Sequence, residues 1–134
     1  MTIEDLAETF DLLGDWEERY GYLIELGRKL PPLADAERSE DAKVRGCMSQ
    51  VWLVGGQQAD GTMHFNGDSD STLVKGLIAL LMVIVNDKTP TQILTTDIAQ
   101  TFKDLGLESH ITVNRRNGFY SMVERIRALC TAAG

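Results

Sequence analysis

The stretch "TMHFNGDSDSTLVKGLIALLMVIV", residues 62–85, decides the fold because its periodicity changes partway. At its start Met63 and Phe65 alternate with Thr62, His64 and Asn66, the period-two pattern of a strand with one buried face. "GDSDST" then supplies helix-capping residues, and a helix from about Ser71 to Asn86 is predicted. That helix is apolar almost all round, which marks it as central and buried.

Upstream, "SQVWLVG" is β-branched and aromatic, and "QQADG" joins it to the alternating strand through an Asp-Gly hairpin signal. Two strands alone make a marginal sheet, so a third is expected around Asp41 to Val44. Further upstream, Thr2 with Asp5 and Asp15 with Glu18 each start a helix. The first carries Ile3, Leu6, Ala7, Phe10 and Leu13 on one face, the second Trp16, Tyr20, Leu23, Ile24 and Gly27. Gly14 closes the first and "KLPPL" the second, since proline lacks an amide donor. The polar run 34–43 reads as a loop or helix fragment.

Downstream, Thr89, Pro90 and Gln92 form a capping box. Short helices are expected over Pro90 to Leu94 and Asp97 to Leu105, with Gly106 as a C-cap. A last helix begins near Asn114, with Phe119, Met122, Val123, Ile126, Leu129 and Cys130 on one face. Segregated strands and helices define an α+β fold: a small antiparallel three-stranded sheet packed against helices. No repeat or linker interrupts the 134 residues, so a single domain over 1–134 is expected.

The net charge of −7 argues against nucleic acid and against an anionic membrane surface. The acids concentrate early, from Glu4 to Glu18, as a solvated helix face does. "MTIEDLAETF" has no basic, apolar leader, and "GLIALLMVIV" is far shorter than the ~20 residues that span a bilayer. A cytoplasmic location is expected, with Cys47 and Cys130 kept as thiols.

Cys47, Cys130, His64 and His110 are the soft ligand candidates, and no metal-binding spacing links them, so no metal is expected. Gly55-Gly56 has no phosphate-loop context, and no nucleophile elbow is present. Cys130 sits on an apolar helix stripe, where cysteine acts as a small hydrophobe. Cys47 differs. It lies in a break before a strand, on no apolar stripe, behind Gly46, which permits unusual backbone and close approach. A reactive thiol needs ionising, and a guanidinium favours the anion; Arg45, Arg115 and Arg116 are the candidates.

"RGCMSQVWL", "HFNGDSDSTLVKGLIALL" and "NRRNGFYSMVERI", together with the segment from Trp16 to Leu33, resemble the signature blocks of the SufE family, which includes CsdE proteins. The resemblance implies a fold like that of the IscU scaffold proteins. It implies an accessory sulfur acceptor, not an enzyme in its own right, that stimulates a cysteine desulfurase of the SufS or CsdA kind. That partner carries the pyridoxal phosphate, and no cofactor is expected on this chain. Cys47 matches the family's acceptor cysteine, and Arg115 best matches its partner-contacting arginine. The doublet leaves Arg116 as the neighbouring choice, and Gly46 and Asp70 join the same implied partner surface. Sulfur would pass on to a SufB-like iron–sulfur scaffold, or to another acceptor in a CsdE-type relay. A homodimer is compatible with the sequence. Two rivals remain at this level: a metal or cluster scaffold, and an adaptor that activates a desulfurase merely by binding.

Overall fold

The computed structural model describes residues 2–46 and 49–133. Its elements run α1 (Ile3–Leu12), α2 (Trp16–Arg28), a 3₁₀ turn (Asp35–Glu37), β1 (Val51–Gln57), β2 (Met63–Ser69), α3 (Thr72–Val85), α4 (Pro90–Thr95), α5 (Ile98–Asp104) and α6 (Val113–Ala133). The helix starts are held by the side chains that mark them in the sequence. Thr2 and Asp5 exchange hydrogen bonds as a capping box, and Thr89 and Gln92 do the same. Asp15, Ser71 and Asp97 each accept an amide hydrogen bond from their helix's first turn. These bonds satisfy N–H groups that a helix start otherwise leaves unpaired.

β1 and β2 form an antiparallel hairpin in which Val51 faces Ser69 and Gln57 faces Met63. Val51, Leu53, Met63, Phe65 and Gly67 point inward and are buried. Gly55 lies directly beneath the Phe65 ring: a Cβ there would meet the ring at 2.2 Å, so the glycine makes room for the phenyl group. α3 crosses this inner face, with Leu77, Ile78, Leu80 and Leu81 fully buried. α2 packs on α3 through Gly27 and Gly76, where a Cβ on Gly76 would sit 2.5 Å from the Leu23 carbonyl oxygen. α6 adds Phe119, Met122, Ile126 and Cys130 to the same core.

Among the described residues the sheet has two strands rather than the expected three. The segment around Asp41 to Val44 does approach β1, but only as a single bridge between Lys43 and Trp52. The Val44 N–H donates to the Val51 carbonyl at 2.8 Å, and the Leu53 N–H donates to the Ala42 carbonyl at 2.9 Å. The chain leaves a turn at Lys43, whose N–H bonds the Glu40 carbonyl, and enters another at Gly46, with φ of +86°. Too little extended chain lies between for a ladder. The other edge of the hairpin is closed by residues 86–88. The Met63 N–H donates to the Lys88 carbonyl at 2.7 Å, and the Asn86 side-chain amide bonds both the N–H and the carbonyl of Phe65. Among the described residues, each edge of the hairpin is thus covered over part of its length.

Candidate functional site

The hydrogen bond from the Val44 N–H to the Val51 carbonyl closes off residues 45–50 at the entrance to β1. Of the predicted site residues, Cys47 falls within this span of sequence but lies outside the described residues, as does Met48. Gly46, on its upstream side, has a backbone conformation that side chains disfavour. It also rests against α6: a Cβ there would lie 2.8 Å from Ser121 Oγ. Downstream, Gln50 and Asp70 hold each other. The Gln50 N–H donates to Asp70 Oδ1 at 3.1 Å, and the Asp70 N–H donates to the Gln50 carbonyl at 3.3 Å. Asp70, predicted on the partner surface, is exposed and clasps the loop to the start of α3.

Ser49 opens onto a cleft of about 340 Å³ between β1, α3 and the first half of α6. Val51, Val74, Leu77, Phe119 and Met122 make its apolar floor. Thr112, Asn114 and Arg115 stand at its mouth. Arg115 is half-buried, and its Nη1 donates to Ser71 Oγ at 3.0 Å, which brings the starts of α3 and α6 together. Thr112 Oγ1 accepts the Arg115 N–H in the first turn of α6. Neither α3 nor α6 has an acid in its first turn, whereas α1 has Glu4 and Asp5, and α2 has Glu17 and Glu18. Two helix N-termini and the Arg115 guanidinium at the mouth suit an anion, with the Asp70 carboxylate, one residue before the α3 cap, opposing them.

The arginine doublet divides. Arg116, one residue on, points to the other side of α6, where its Nη1 donates to the Glu108 carbonyl at 3.2 Å. It stands beside Tyr120, whose hydroxyl donates to the Glu108 carboxylate at 3.2 Å. Burial, and then that carboxylate, raise the Tyr120 pKa above the usual phenol value. Helical rotation thus puts Arg115 at the cleft and Arg116 away from it.

Cys130 is fully buried in the second half of α6. Burial pushes its thiol pKa up, against a smaller lowering by Arg127. A thiol kept protonated is a poor nucleophile. His64 and His110 are also apart: His64 lies 4.0 Å from Asp87 on the hairpin's outer side, and His110 stacks on Trp16 at 3.9 Å. Among the described residues no group of three or more His, Cys, Asp or Glu side chains could hold a metal.

Two site residues escape sequence reasoning. Ser71 looks like a helix cap and nothing more, yet it also seats Arg115. Ser121 is a polar residue in a helix with no local signal, and it matters because Gly46 comes to rest on it.

These features have relatives. The family model described as SufE, Fe-S metabolism associated domain, matches residues 4–130, and the chain belongs to the SufE family. The protein is accordingly associated with iron–sulfur metabolism. The fold is similar to that of the solution structure of a hypothetical protein from Thermus thermophilus. The TM-score is 0.80 at 22% identity, covering 99% of this chain and 98% of that one. Among the described residues no helix is long and apolar enough to cross a membrane.

Proposed function

We propose that this chain is a sulfur acceptor and activator for a pyridoxal-phosphate-dependent cysteine desulfurase, with Cys47 as the accepting thiol. The observation that carries this reading is the pinched loop 45–50, set beside a cleft whose mouth suits an anion. Two peptide links join Ser49 to Cys47, and two links span at most roughly 7 Å between Cα atoms. The anion that such a mouth suits is a thiolate, or the persulfide it becomes.

The chemistry is an exchange at sulfur. The desulfurase presents a persulfide, and the Cys47 thiolate attacks its outer sulfur. A new S–S bond forms on Cys47 as the old one breaks, and the electron pair leaves with the desulfurase thiolate. Cys47 ends as a persulfide, no net oxidation occurs, and the desulfurase is free for another cycle. The Cys47 persulfide then gives up the same sulfur to an iron–sulfur scaffold.

The deciding experiment is intact mass after incubation with a desulfurase and free cysteine. The expected result is the added mass of one or more sulfur atoms, removable by a thiol reductant and mapped to the peptide that holds Cys47. Sulfur that maps to Cys130, or a Cys47→Ser variant that stimulates as well as wild type, would overturn the relay. The second outcome would favour an adaptor that acts by binding alone.

A further inference from the structure

The cleft is lined by Ser49, downstream of Cys47, and a second recess, lined by residues upstream of it, is not used by the sulfur chemistry. Lys43, Arg45 and Arg125 border it, with Ser121. In a chain of net charge −7, three cations around one recess run against the overall balance. Arg38, Lys75, Arg28 and Lys103 are each spent on a carboxylate within the chain. Among the described residues, Lys43, Arg45 and Arg125 make no such ion pair. Glu40 and Asp41 also border the recess, but Asp41 offers Arg125 its backbone carbonyl, which accepts from Nη2 at 2.7 Å. The Arg125 Nε is buried without an acceptor, and a buried donor left unmet is costly.

We infer that this recess receives an acidic side chain of the protein that exchanges sulfur with Cys47. This rests on the sulfur-acceptor reading and adds a binding site to it. Three observations fix the occupant's chemistry and source. The free cations of Lys43 and Arg45, beside the Arg125 guanidinium, suit a carboxylate. Arg45 is two residues from Cys47, and Gly46 packs on Ser121, which itself borders the recess. A partner large enough to reach Cys47 therefore covers the recess as it docks. Arg115 and the recess would then hold the partner at two points.

The test is the affinity of the full chain for a desulfurase carrying its pyridoxal phosphate, measured at low and high salt, with sulfur loading of Cys47 followed in parallel. Lys43→Glu and Arg45→Glu should each weaken binding by at least about fivefold at low salt, and the loss should shrink in ~0.5 M salt. Loading at saturating desulfurase should match wild type, since the recess docks and does not react. Arg125→Glu should show the same pattern; the two surface variants carry the test if it melts early. Tight wild-type binding with both surface variants within about twofold would overturn the recess but leave the relay standing. Loading lost even at saturation would also overturn a docking role. A wild-type chain that binds no desulfurase would overturn both.

Discussion

The two halves of α6 present opposite surroundings. Its second half closes over Cys130, which is fully buried with an elevated pKa in the company of Ile126 and Met122. Its first half opens: Arg115 and Asn114 border a cleft, and Gly46 on the neighbouring loop leans on Ser121. Within one helix the sequence thus changes from a wall of solvent-excluded side chains to a rim. Reactivity follows the surroundings of a cysteine more than its presence, because only the thiolate is a good nucleophile.

The largest expected effect tests that contrast directly. Cys47→Ser should reduce sulfur transfer to background in a desulfurase assay, while partner binding persists, because a serine hydroxyl cannot hold a persulfide. Cys130→Ala should transfer normally, with a melting curve reporting a loss of about 1 kcal/mol for a small core vacancy. Native alkylation comes next. Iodoacetamide labelling followed by mass spectrometry should modify Cys47 at least ~100-fold faster than Cys130, and equal rates would erase the distinction between the two halves of α6.

A smaller effect separates the arginines. Arg115→Ala should lower desulfurase stimulation by about tenfold, the scale of a lost charge-assisted hydrogen bond, and Arg116→Ala by about twofold or less. The opposite ranking in a titration of stimulation would place the working face of α6 on the Glu108 side.

The smallest effect concerns the support behind the loop. Asp68 sits between Arg38, at 2.6 Å, and Lys75, at 3.4 Å, and so ties the segment before the loop to β2 and α3. Burial would raise its pKa, but the Arg38 hydrogen bond, the Ser69 N–H and the Lys75 charge outweigh it and hold the carboxyl below its ordinary value. Such a group stabilises fully above the unfolded pKa, near 3.9, and the contribution drains away as pH falls below that through the folded value. Asp68→Asn should therefore cost about 1–2 kcal/mol at neutral pH and flatten the acid limb of a stability–pH curve. An unchanged acid limb would show that the tie carries no stability.

The parts of the fold legible in the sequence are those decided within a few residues. Thr2, Asp15, Ser71, Thr89 and Asp97 each announce a helix start that hydrogen bonding then fulfils. The Asp60-Gly61 turn, with φ of +90° at Gly61, closes the hairpin where expected. A third strand around Asp41 to Val44 is expected because two strands alone make a marginal sheet, but its pairing depends on turns at both ends, and only one bridge forms. Leu26 falls outside the apolar stripe expected of α2, yet it is buried, because the close glycine contact with α3 widens the face that α2 covers. At the site, Gly46 and the first turn of α6 were visible as signals. The parting of Arg115 from Arg116 was not, since it depends on how α6 is rotated against α3, and the partnership of Arg38 with Asp68 spans 30 residues.

The pinch between Val44 and Val51 makes loop 45–50 a cassette. Its stem is anchored by the Val44–Val51 and Ala42–Leu53 bonds, with Gln50 and Asp70 holding its downstream end. Lengthening a closed loop is thermodynamically cheap, about 0.6 kcal/mol for each doubling. Insertions beside Cys47 could therefore extend the thiol's reach toward a deeper partner site with little loss of stability. Length in this one segment is set independently of the helices that carry the fold.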